Sequence, residues 1–128
     1  MKTIHPFDQL LNAQQSELDC ALIYQALSRK AKDSKDSALF HTVASDEIRH
    51  AAVFHSMTGE KLCPRKWTAL LIPFLYRILG RKRMIPLLAM GKYIDHQRYE
   101  VLGRRYAKVR AVSKEEKRIG QQISALLY

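Results

Sequence analysis

Glu47-Ile-Arg-His50 is the pairing in this chain best suited to chemistry. Phe40, Val43, Glu47, His50, Phe54 and Met57 recur three and four residues apart, so they share one face of a helix. The apolar members mark that face as the buried one. A carboxylate and an imidazole placed there are costly unless they are paired or bind a metal. Glu-x-x-His is also the unit from which di-iron helix bundles build their sites, and such a bundle uses it twice. This chain has it once. Glu17 lies on a second stripe of helical spacing, Phe7, Leu10, Gln14, Glu17, Ala21 and Tyr24, and can face the pair from a neighbouring helix.

Four helices must position these groups. The first is predicted from Pro6 to Lys30. A polar break, Lys32 to Ser37, supplies N-cap candidates for a second helix from Ser37 to Met57, which Thr58-Gly59 closes. The connection from Glu60 to Gly80 contains Pro64 and Pro73, and its Trp67–Leu79 portion suggests one or two short apolar helices. A third long helix is expected from Met84 to Val109, with Pro86 tolerated in its first turn. Its inner stripe reads Ile85, Leu88, Lys92, Asp95, Tyr99, Leu102 and Tyr106. A short fourth helix is expected from Ser113 to Tyr128, with Glu115-Glu116 in its first turn. No strand alternation or repeat interrupts this. The expected fold is a single all-α domain over residues 1–128, a four-helix bundle with a long crossover between helices 2 and 3.

The chain has 128 residues, a net charge of +10 and a pI near 9.9. Arg65-Lys66, Arg81-Lys82-Arg83, Arg104-Arg105, Lys108 and Arg110 concentrate that charge in the second half. Such an excess attracts phosphates, those of an anionic membrane more readily here than those of nucleic acid, or else forms a solvated basic face. Cys20 and Cys63 form no C-x-x-C pair, which excludes a zinc ribbon or a rubredoxin-type iron site within the chain. The N-terminus shows no signal-peptide pattern, and the Trp67–Leu79 run is shorter than the ~20 residues of a spanning helix. A cytoplasmic protein, peripheral to a membrane if attached at all, is the expectation.

Glu17-Leu-Asp-Cys-Ala-Leu-Ile-Tyr24, followed by Ala44-Ser-Asp-Glu47-Ile-Arg-His50-Ala and Thr58-Gly59-Glu60, resembles the rubrerythrin branch of the ferritin-like superfamily. It is similar to the ferritin-like domains fused to some iron transporters. Leu88-Ala-Met90-Gly91-Lys92 and Tyr99 look like that family's third helix. The resemblance implies a carboxylate-bridged di-iron site and an oxidoreductase of peroxidase or ferroxidase type. By position Glu17, Glu47 and His50 are its metal ligands, and Tyr24 and Tyr99 lie near the cavity. Activity would then need a separate electron donor.

Two departures make the pattern truncated or degenerate in helices 3 and 4. Lys92 stands at the third helix's glutamate position, and it cannot ligate iron while protonated. The second Glu-x-x-His is absent, its carboxylate expected near Leu126 or Leu127. Lys92, with Asp95 three residues on, is positioned to face Glu17 and Glu47 and supply the charge a metal otherwise supplies. A short fourth helix leaves apolar surface that a homodimer could cover. The alternative reading is a non-catalytic helical scaffold that binds an anionic membrane surface or nucleic acid. His41, His55 and His96 read as surface or packing histidines, with His96 and Glu100 an i, i+4 helix pair.

Overall fold

The computed structural model describes residues 5–128, and among them every regular element is helical. Five α-helices follow one another: α1 (Pro6–Lys30), α2 (Ser34–Thr58), α3 (Trp67–Leu79), α4 (Arg81–Leu102) and α5 (Ala107–Ser124). A short 3₁₀ turn, Ala125–Leu127, follows α5.

Local chemistry sets the first two helices. The His5 ring nitrogen accepts from the Phe7 amide at 3.1 Å, and Pro6 opens α1 with a φ already suited to a helix. Asp33 caps α2 by accepting from the Lys35 and Asp36 amides at 2.9 and 3.1 Å. That cap starts α2 three residues before the expected Ser37. The helix closes at Gly59, and α1 packs along α2.

The second half departs from expectation. α4 ends at Leu102 instead of continuing to Val109, and α5 starts at Ala107 instead of Ser113. The chain turns between them, with an extended backbone at Tyr106 (φ −123, ψ 106). At Gly103 a Cβ would sit 2.9 Å from Arg110 Cγ and 3.0 Å from the Tyr99 carbonyl oxygen, so a larger residue there would push the two helix ends apart. The last long helix is therefore not short: α5 alone has 18 residues and packs along α4. α4 also starts earlier, at Arg81, so Pro86 falls at its sixth position. Gly80, at φ 83 and ψ 159, is the only residue between α3 and α4. α3 leans on α1 and α4, and α2 touches α5.

The interior is layered. Leu10, Phe54, Tyr99, Leu102, Val109 and Val112 form one apolar cluster. Leu27, Phe40, Val43, Ile85, Ile119 and Ile123 belong to another. Phe40 is fully buried against Tyr24 and Tyr76, with ring centroids 5.7 and 5.8 Å away. Trimming it to alanine removes about 3–5 kcal/mol of stability. Along α1, α2, α4 and α5 the residues between these two clusters are charged: Glu17, Glu47 with His50, Lys92, and Glu116.

Candidate metal centre

Each of four helices sends one or two ionisable side chains into this middle layer. Glu17, Glu47, His50 and Glu116 are 0–1% exposed, and Lys92 is 2% exposed. One ligand atom from each of Glu17, Glu47, His50 and Glu116 lies within 4.8 Å of all the others. Donors opposite each other across one first-row ion are about 4.4 Å apart, twice a ~2.2 Å bond. Four donors gathered this closely could hold a metal ion after moving inward.

The three carboxylates share one arrangement. Tyr99 OH donates to Glu17 Oε1 at 2.8 Å. Lys92 Nζ donates to Glu47 Oε1 at 2.8 Å. His50 Nδ1 donates to Glu116 Oε1 at 2.9 Å. In each case the Oε2 atom is buried and has no hydrogen-bond partner. Glu116 Oε2 does have an ionic neighbour, Lys92 Nζ at 3.1 Å, but without hydrogen-bond geometry. Glu17 Oε2 lies 3.6 Å from His50 Nδ1. Buried carboxylate oxygens without donors are expensive, and three on three helices form a set of acceptors fit for a cation. The donor set of carboxylates and one imidazole suits iron, manganese or zinc.

Two side-chain cations occupy the layer. Burial pushes the His50 imidazole down, but its hydrogen bond to Glu116 and the nearby negative charge of Glu17 outweigh it and raise its pKa from 6.5 to about 10. Both ring nitrogens therefore carry protons. Nδ1 donates to Glu116, and Nε2 donates to Glu115. Arg49 grips Glu115 from the surface with two hydrogen bonds of 2.9 and 3.0 Å. Burial also opposes charge on Lys92, yet the acidic groups around it hold its pKa well above the usual lysine value. Its ammonium lies 5.4 Å from the centre of the Tyr24 ring and 3.6 Å from Asp95. Burial, with Glu17 nearby, pushes the Glu116 carboxyl up. Three glutamates thus share the layer with two side-chain cations. An incoming metal must displace the His50 proton, because a ligating imidazole is neutral.

The structure brings Glu17, Glu47 and His50 together as the stripes predict, and places Lys92 on Glu47 and Glu116. Asp95 stands at the edge of the cluster, while Tyr99 orients Glu17 and Tyr24 packs on Phe40. Glu116 corrects the reading of the fourth helix. Its carboxylate, not a residue near Leu126 or Leu127, is the one that helix contributes. Because α5 begins at Ala107, Glu116 lies at mid-helix and not in a first turn. The signal was present: Val109, Val112, Glu116, Ile119 and Ile123 keep helical spacing. Three residues beyond Glu116, where a second Glu-x-x-His would carry its imidazole, stands the fully buried Ile119. Burial pushes the half-buried Cys20 thiol up to about 12, so it offers no thiolate. His41 and His55 are exposed, and His96 binds Ser113 on α5.

No protein family, curated protein or solved structure matches the chain.

Proposed function

We propose that this chain is a rubrerythrin-like, ferritin-like helical bundle that binds one iron ion per chain and serves iron-dependent oxidation and reduction. Peroxide or oxygen reduction and ferrous iron oxidation are the reaction types that fit. The observation that supports the reading is the trio of unpartnered Oε2 atoms of Glu17, Glu47 and Glu116 around His50.

Glu17, Glu47, Glu116 and His50 would hold the ion. Iron bound by carboxylates and imidazole with open positions supplies one-electron exchange with a small oxidant. The chain's own residues prepare the site. Tyr99 and Lys92 each tie one oxygen of a carboxylate and leave the other free, so the donors are held before an ion arrives. The Lys92 ammonium bridges Glu47 and Glu116, where a second ion would otherwise neutralise them. Ile119 in place of a second histidine removes a further ligand. Both substitutions point to a site reduced from two metals to one. The missing electrons of a peroxidase cycle would come from a separate donor protein.

Metal analysis of protein produced with added iron tests this, with wild type beside Glu47→Ala and Glu17→Ala. One iron per wild-type chain is expected. At least about tenfold weaker binding is expected in Glu17→Ala. Two ions per chain would remove Lys92 from the role of second cation, and none would remove the metal reading.

A further inference from the structure

The outer face of α3 is apolar and uncovered. Trp67, Leu70, Phe74 and Ile78 recur at helical spacing and are 57–77% exposed. On α4, joined through Gly80, Leu87 and Met90 are 54% and 55% exposed. Exposed apolar surface on this scale marks an interaction site.

The charge around it identifies what covers it. From Lys61 to Ile94 the sequence contains no Asp or Glu. Lys61, Lys66, Arg77, Lys82 and Arg83 are exposed and make no ion pair among the described residues. They stand before, within and just after α3, so cations rim the apolar stripe at both ends. A second copy of the chain docked on this face would set those cations against their own counterparts, since a two-fold contact uses the same patch twice. Nucleic acid would satisfy the cations but leave Leu70 and Phe74 against phosphate. An anionic bilayer answers both features at once, taking the apolar side chains into its interface and the cations at the headgroups.

The geometry points to α3 as an interfacial helix that lies flat on an anionic lipid surface, with the start of α4 beside it. No described helix is long and apolar enough to cross a membrane, so the contact is peripheral. α3 has 13 residues, about 20 Å of helix in the plane of the interface. The metal centre, on α1, α2 and α5, does not depend on this contact.

Trp67 is the only tryptophan and reports directly on the contact. The full-length chain would be mixed with vesicles of phosphatidylcholine alone or with about one third phosphatidylglycerol. With the anionic vesicles the protein is expected to co-sediment and Trp67 emission to shift to the blue. Phosphatidylcholine alone should give neither. Leu70→Glu and Phe74→Glu, checked by circular dichroism for unchanged helix content, should each lower partitioning about tenfold. Lys82→Gln and Arg83→Gln should each lower it about fivefold. Because Leu70 and Phe74 already face solvent, these variants are expected to fold. Undiminished vesicle binding by Phe74→Glu would place the contact on another basic surface and overturn the proposal. So would a blue shift that follows protein concentration without vesicles, which would assign the face to a second copy. Stronger binding to duplex DNA than to anionic vesicles, or no vesicle binding even at low salt, would overturn it equally.

Discussion

Two buried charged clusters in this protein differ in one respect. Asp36, near the start of α2, is fully buried and fully answered. The Arg81 guanidinium grips both of its oxygens at 2.8 and 2.9 Å, and the Tyr76 hydroxyl donates to one of them. Arg81 also reaches the Leu126 carbonyl at 2.9 Å, tying the ends of α2, α4 and the C-terminal turn together. The Glu17–Glu47–Glu116 cluster is larger and left incomplete, with an unpartnered oxygen on every glutamate. Fold stability alone accounts for the first cluster. It does not account for the three unpartnered oxygens of the second, because a full set of donors would serve the fold better. Those acceptors could hold a metal ion.

The largest expected effect separates the two clusters by removing a cation. Lys92→Met should destabilise the metal-free protein by about 4 kcal/mol, since it strands Glu47 and Glu116 in the interior. Added manganese or zinc should restore more stability to this variant than to wild type, read as a shift in thermal midpoint. Equal shifts would erase the distinction between the clusters. Asp36→Ala should cost about 3 kcal/mol in urea unfolding, because it leaves Tyr76 and Arg81 unanswered. Its metal stoichiometry should match wild type.

The pH dependence of the Asp36 cluster follows from the same contacts. Burial pushes the Asp36 carboxyl up, but the Arg81 and Tyr76 hydrogen bonds and the Arg81 charge outweigh it and hold it below 3.8. A depressed carboxylate contributes its stability above the unfolded value and loses it as the pH falls through the folded one. Urea midpoints should therefore drop as the pH falls below about 4 in wild type, and by less in Asp36→Asn. The smallest effect belongs to Glu116→Gln. It removes a buried charge and keeps an acceptor for His50, so metal-free stability should stay within about 1 kcal/mol of wild type. Metal affinity should fall all the same.

How much of this was legible in the residues varies along the chain. α1 and α2 were nearly complete in the sequence, because Pro6, Asp33 and Gly59 punctuate them and their inner stripes hold one period throughout. The break at Gly103 was not. Tyr99, Leu102, Tyr106 and Val109 keep three- and four-residue spacing straight across it, and no proline marks the turn. The turn is made by close approach of α4 to Arg110, a tertiary contact that periodicity does not register. That one missed boundary put Glu116 in a first turn and hid the third carboxylate of the site. α3 was visible as an apolar run. Its exposed side was not, since a run this rich in apolar residues does not declare which face is covered.

The charged layer between two apolar ones also sets how the helices line up lengthwise. A slip of any one helix by a turn, about 5.4 Å, would carry its ionisable residue into a layer of leucine, isoleucine and phenylalanine. It would also separate Lys92 from Glu47, now 2.8 Å apart. Apolar packing alone tolerates such slips, because one greasy turn resembles the next. Ion pairs at a single level do not, so the charged layer also fixes the alignment of the four long helices along their common axis.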